Sequence, residues 1–267
     1  MEITSAVLMI ICNKALMTGS LNFRYPTTLT AAHFAWTAAG STLINKCTDS
    51  DRDAKLELPP WYVIGAFVLL SSAAIILSNA SLLLNSVAFY QIMKLATLPF
   101  VALLEWTAGT KVFTLWHLLF YATIMAGVGM TIVGDVVATP LGTVVASISF
   151  MSAGLHQVFC GRLQANWGLS PSKLLSMVSP YKAALLFSFG PVMDAAWFGG
   201  WITSYGWGMN AGAPILVTCV LAIALNMAEY SAIHLLGAGT YQALSQLKTA
   251  GRHRPDYLRR GWPHMLR

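Results

Sequence analysis

About eight stretches of this chain stay apolar for long enough to cross a lipid bilayer: residues 3–18, 26–44, 61–83, 86–106, 115–134, 141–163, 173–193 and 213–238. A helix needs roughly 20 mostly apolar residues to span the hydrocarbon region. The runs are continuous and do not alternate every second residue, which selects helices over barrel strands. Composition agrees, because 56% of the residues are hydrophobic and only 10% are charged, more apolar surface than a water-soluble domain buries. The excess has to face lipid, and the expected fold class is an all-α, polytopic membrane helix bundle.

The first run follows Glu2, lacks a basic segment ahead of it and has no small-x-small cleavage site before Lys14, so it reads as a membrane helix and not as a signal peptide. Cys12, Cys47, Cys160 and Cys219 are too scattered for a disulfide framework or a metal motif, and no metal or organic cofactor is expected. With the N-terminus in the cytosol, the even-numbered helix exits collect Lys46, Arg52, Lys55, Lys111, Arg162 and Lys173, while the odd-numbered ones hold little beyond Arg24. Both termini are then cytosolic. The loop 45–60 mixes Asp49, Asp51, Asp53 and Glu57 with its basic residues and reads as a solvated connector. Much of the formal charge of +6 sits in residues 251–267, where Arg252, Arg254, Arg259, Arg260 and Arg267 stand against Asp256.

Two twelve-residue stretches nearly repeat each other. Residues 86–97 read S-V-A-F-Y-Q-I-M-K-L-A-T and residues 238–249 read A-G-T-Y-Q-A-L-S-Q-L-K-T, so each sets Tyr-Gln and a lone Lys in an apolar run. A charged lysine at the bilayer centre costs about 2.5–3.5 kcal/mol on insertion scales and persists where it faces a cavity and meets an anion. On a helix Tyr90, Gln91 and Lys94 share a face, and Tyr241, Ser245 and Lys248 form a similar stripe. The likeness extends upstream to Asn79 in the first copy and to Asn226 and Glu229 in the second. The third and fourth helices thus match the eighth and an incipient ninth. An odd offset of five helices makes the copies cross the membrane in opposite senses, as inverted repeats of secondary transporters do. This divides the chain into a first repeat, 1–139, an incomplete second repeat, 140–249, and a basic non-membrane tail, 250–267.

Several ordered motifs carry a family resemblance: Asn13-Lys14-Ala-Leu-Met, Phe23-Arg24-Tyr25 with Thr27-Thr-Leu-Thr30 and His33-Phe34, and Leu84-Asn85-Ser86-Val87-Ala-Phe89-Tyr90-Gln91-Ile-Met-Lys94. Pro99 through Leu104-Glu105-Trp106, Gly134-Asp135 and Lys248-Thr249 complete the set. Together they resemble the nucleotide-sugar and triose-phosphate translocators of the drug/metabolite transporter superfamily, and within it the plant-type UDP-sugar transporters whose ninth helix carries Lys-Thr. The resemblance covers residues 2–249. It implies ten helices in two inverted five-helix repeats, a Golgi or endoplasmic-reticulum membrane, and antiport of cytosolic UDP-sugar against lumenal UMP. The partners implied are UDP-sugar, UMP and membrane lipid, with no nucleic acid, and a homodimer is left open.

The chemistry of such a substrate sorts the candidate residues. A pyrophosphate suits the ammonium groups of Lys94 and Lys248, with Thr249 beside the latter. Tyr90 or Tyr241 suits uracil stacking or a ribose hydrogen bond, and Gln91, Gln242, Asn79 and Asn226 suit a polar lining. Glu229 is the expected counter-ion of a pocket lysine. Glu105 lies three turns from Lys94, about 16 Å along one helix, and cannot pair with it there. Lys14 either snorkels to the interface or joins the pocket.

Other features are read more plainly. Pro99 is expected to interrupt the fourth helix one turn past Lys94, and Pro180 lies within the seventh. Gly127, Gly129 and Gly134, near Ala122 and Ala126, are expected to let helices approach closely. His33, His117, His156 and His234 read as core or interfacial residues. The sequon at Asn79 lies inside an apolar run and is discounted. No enzyme is expected: Ile132 stands where the Gly-Asp motif of intramembrane proteases requires glycine, Asp194 is placed beyond the seventh helix, and neither H-E-x-x-H nor G-x-S-x-G occurs.

Two alternatives stand beside antiport. A sugar-phosphate translocator would be favoured by Lys-Arg where this chain has Lys248-Thr249, since a second fixed cation suits a compact phosphate ester. A non-transporting scaffold follows from the end of the chain, where the apolar pattern stops after Thr249. A ninth helix starting near Gly239 has about 11 residues, or about 16 Å, against a hydrocarbon core of about 30 Å. C-terminal truncation and poor transport are therefore expected of this chain.

Overall fold

The computed structural model describes residues 9, 12, 13, 16, 23–48, 58–109, 111–132, 136–206 and 209–246. Lys14, the acidic loop residues 49–57, Gly134-Asp135, Lys248-Thr249 and the basic tail lie outside the described residues. The helices in chain order are α1 (Pro26–Thr48), α2 (Trp61–Leu84), α3 (Val87–Leu95), α4 (Thr97–Thr107), α5 (Leu115–Thr131), α6 (Pro140–Trp167), α7 (Pro171–Phe198) and α8 (Met209–Leu236). Met9, Cys12, Asn13 and Leu16 are helical ahead of them and residues 238–246 are helical after them. No strand occurs among the described residues.

Local chemistry marks the ends of the long helices. Thr139 accepts from the Gly142 amide and Ser170 from the Lys173 amide, each just ahead of a proline in the first turn. Gly168 and Gly199 close the same two helices in left-handed conformation, at φ 58° and 75°.

Trp61–Leu84, Val87–Thr107, Pro140–Trp167 and Gly212–Leu236 are long and apolar enough to cross a membrane, and Leu115–Met130 is a shorter apolar helix. Side chains such as Leu69, Leu103, Trp116, Phe120 and Val220 stay exposed on their outer faces, where lipid covers them. α1 and α7 are more polar and pair with each other along the middle of the bundle. Their buried polar groups, Thr27, Thr28, His33, Thr37 and Ser41 on α1 and Ser179, Lys182 and Asp194 on α7, are kept from hydrocarbon by the neighbouring helices. α2 packs on α6, α8 on α1, and α4 on α6. Phe67, Leu163, Leu174, Val178, Tyr230 and Ile233 form the principal core where α2, α6, α7 and α8 meet. The chain is thus an all-α, multi-pass membrane bundle.

Three expectations are corrected. Asp194 is not beyond the seventh helix: α7 continues to Phe198 and buries the carboxylate completely. Its Oδ1 accepts from the Thr27 amide at 3.1 Å, and its Oδ2 accepts from the Thr28 amide at 2.8 Å and the Thr28 hydroxyl at 2.7 Å. These are donors that the start of α1 cannot satisfy within its own ladder, and the carboxylate also meets the positive end of that helix. Gly190 permits the approach, since a Cβ there would lie 3.3 Å from the Thr27 and Thr28 backbone.

The fourth span breaks at Ala96, ahead of Pro99, which sits in the first turn of α4 where its missing N–H is no loss. Gly127 and Gly129 are exposed, and a Cβ at either would meet nothing within 4 Å among the described residues, so they do not provide the close helix contact expected of them. Gly40, against Ile223, and Gly154, against Phe100, hold tight contacts instead.

Candidate functional site

Elements α1, α2, α3, α6, α7 and α8 enclose a cavity of about 470 Å³, within the range of about 300–1,000 Å³ usual for small-molecule sites. Lys94 and Tyr90 from α3, Asn79 from α2, and Asn226 and Glu229 from α8 all line it. Gln91 is buried and is not part of the wall. Tyr241 belongs to the same principal core as Phe67 and Tyr230, and Gln242 is buried. Lys248 and Thr249 lie outside the described residues.

Hydrogen bonds fix the polar part of the wall. The Tyr90 hydroxyl and Ser78 Oγ are 2.7 Å apart. Asn79 Nδ2 donates to Thr27 Oγ1 at 3.3 Å, and Asn226 Nδ2 donates to Thr37 Oγ1 at 3.0 Å and to the Ala222 carbonyl at 2.9 Å. The two asparagines thus both anchor on α1. His33 Nε2 lies 3.1 Å from Thr218 Oγ1.

Lys182, on α7, is the residue that sequence reasoning missed. It lines the cavity yet is only 1% exposed. Its Nζ donates to the Tyr230 hydroxyl at 2.9 Å and stands 5.0, 5.1 and 5.5 Å from the ring centroids of Phe34, Phe67 and Tyr230. A desolvated cation gains about 2 kcal/mol from an aromatic face, so these rings offset much of the cost of holding an ammonium away from water. His156, also in the wall, stacks on Phe67 at 4.9 Å. The available signal was the one that exposed Lys94, a lone lysine in an apolar run. Lys182 lies outside the two similar stretches, 86–97 and 238–249, that drew attention to Lys94.

The electrostatic outcome is a cationic chamber. Among the described residues the wall carries two lysines and one carboxylate, Glu229, and neither lysine has a carboxylate within 4.0 Å. Lys94 is exposed within it, free to reach a ligand. His156 Nε2 and Gln157 Oε1 are buried with no hydrogen-bond partner among the described residues, which leaves polar atoms available to a guest. The arrangement suits a polar anion with a flat aromatic part.

Glu105 is engaged elsewhere. Its Oε2 lies 3.7 Å from Lys111 Nζ. Lys111 also donates to the Leu236 carbonyl at the end of α8 at 3.3 Å and to Thr240 Oγ1 at 3.4 Å. Gly237, at φ 80°, makes the turn into helix 238–246, and a Cβ on Gly239 would lie 2.5 Å from Glu105 Oε2. The far end of that helix reaches the first copy, where Gln246 Nε2 donates to the Lys94 carbonyl at 3.1 Å.

No family model matches the chain. It is 34% identical over 250 residues to UDP-rhamnose/UDP-galactose transporter 2 of Arabidopsis thaliana, covering 93% of this chain and 71% of that protein. UDP-rhamnose/UDP-galactose transporter 1 of the same plant matches at 34% with the same coverage, and UDP-xylose transporter 1 at 29% over 249 residues, 93% of this chain and 71% of that protein. These relatives are transporters and not enzymes. Their likeness, running through the helices that build the cationic cavity, makes the chain a member of the nucleotide-sugar transporter family.

Proposed function

We propose that this protein carries a UDP-sugar across a Golgi or endoplasmic-reticulum membrane in exchange for UMP, and that the cavity is the alternately exposed site. The observation that carries this reading is the convergence of Lys94, Lys182 and amide side chains on one chamber inside an apolar bundle. Lys94 takes the diphosphate, with Lys248-Thr249 as a second ligand from the other copy. Gln246, two residues before Lys248, bonds to the Lys94 carbonyl, which supports the pairing. Tyr90 and the cavity histidines face the uridine, while Asn79 and Asn226 hold the wall in register. Gln91, Tyr241 and Gln242 support the wall from behind.

Residues 1–139 and 140–249 act as inverted halves. The pairing of α1 with α7, together with the cross-contacts α1 with α8 and α2 with α7, supports this, because exchanging the halves maps these contacts onto one another. Both chain ends face the cytosol. Exchange needs only that the empty carrier reorients slowly, since unpaired lysines at bilayer depth are costly and either anion relieves that cost.

The test is uptake of radiolabelled UDP-galactose into proteoliposomes with and without internal UMP. Slow uptake, accelerated by internal UMP and lost in Lys94→Ala, is expected. Uptake indifferent to UMP but inhibited by a sugar phosphate would assign the compact ester instead, and no uptake of either would remove the transport reading.

A further inference from the structure

The ammonium of Lys182 sits where a flat ligand would have to go. Phe34 and Tyr230 both line the cavity, and Phe67 meets Tyr230 edge-on at 6.5 Å between ring centroids. Lys182 Nζ lies within 5.0 to 5.5 Å of all three ring centroids. A cation over a ring covers the face on which another ring would stack.

The hold on that cation is weak compared with what a phosphate offers. An ammonium has three N–H donors. Among the described residues one of them is used, on the neutral Tyr230 hydroxyl. A phosphate oxygen adds a full negative charge to a bond whose donor is already charged, and its neighbouring oxygens can take the two remaining N–H groups. Four bonds of flexible side chain let Nζ travel several ångströms without moving α7.

We propose that Lys182 is an exchangeable occupant of an aromatic seat. In the empty cavity its ammonium rests among Phe34, Phe67 and Tyr230. When a nucleotide enters, the ammonium leaves for the phosphate and the base stacks on the faces it vacates. Phosphate and base recognition are therefore coupled: a nucleoside without phosphate has to displace the lysine unaided and binds poorly, while a nucleotide draws it away. This inference rests on the reading of the cavity as a nucleotide site.

The experiment measures binding of UMP and of uridine to the full chain in lipid nanodiscs by calorimetry, for the unsubstituted protein, Lys182→Ala, Lys182→Met and Tyr230→Phe. Lys182→Ala is expected to weaken UMP about tenfold or more, from loss of a charge-assisted bond, and to strengthen uridine several-fold, because the seat is empty. Lys182→Met refills the seat with an apolar chain and weakens both. Tyr230→Phe keeps the rings but frees the ammonium, strengthening UMP a few-fold, and covers the case in which Lys182→Ala does not fold. Parallel loss of UMP and uridine binding in Lys182→Ala, or unchanged UMP binding, overturns the exchange while leaving the nucleotide site standing. Failure of the unsubstituted protein to bind either UMP or UDP-galactose overturns both.

Discussion

Asp194 shows how a carboxylate becomes tolerable in an apolar bundle. Three donors at the start of α1 surround its two oxygens, and all three bonds cross from one half of the chain to the other. Asp194→Ala leaves those donors buried and unpaired, so it should cost on the order of 2–3 kcal/mol, read as a lower thermal midpoint in detergent. Lys94 is the opposite case. It is exposed in the cavity and its ammonium has no bond among the described residues. Lys94→Ala is expected to leave the thermal midpoint nearly unchanged while weakening UDP-galactose binding about tenfold, and equal loss of both would contradict a ligand role. The difference between the two residues was not legible from type alone, since each is a single charge in an apolar context. What separates them is whether a helix end happens to lie opposite.

The break between α3 and α4 and the turn between α8 and helix 238–246 bring the two Tyr-Gln stretches together. Pro99 makes the first break intelligible from sequence, because a proline ring crowds the carbonyl four residues earlier, here that of Leu95, and supplies no N–H to it. That the break falls at Ala96, with Gln246 donating to the neighbouring Lys94 carbonyl, depends on a partner 152 residues away. The second turn is held by Lys111, Glu105 and the closely packed Gly239. Gly239→Val sets a side chain against the ends of the Glu105 and Tyr121 side chains, which have to give way, and so loosens the Glu105–Lys111 contact. It is expected to slow exchange while membrane insertion, followed by expression and gel filtration, is retained. Preserved exchange in that variant would show that this contact is dispensable.

Seen whole, the molecule reverses the arrangement of a soluble protein. The most apolar helices form the rim and the more polar α1 and α7 form the centre. Both facts follow from the solvent, since lipid accepts Leu and Trp faces freely but leaves polar groups only the interior. The placement of basic exits gives an orientation that native thiols can report. Cys47 is exposed near the end of α1, whereas Cys160 and Cys219 are buried. In sealed vesicles with the cytosolic face outward, carrying Cys12→Ser, a membrane-impermeant maleimide is expected to label Cys47 and spare the other two. Labelling only after the vesicles are opened would reverse the topology.

Apolar run length sufficed to specify a helical membrane bundle and to set most helix positions within a few residues, and the repeated Tyr-Gln and Lys pattern with its upstream asparagines singled out Lys94, Tyr90, Asn79 and Asn226 as residues of interest. These are local or periodic signals, because each depends on what lies within a turn or two along the chain. The membership of the cavity wall was of another kind. Lys182 entered it while Gln91, Tyr241 and Gln242 stayed behind it, and Asp194 became a cap. Those outcomes turn on which faces of distant helices meet, and a one-dimensional pattern carries no record of the angle at which α1 and α7 cross.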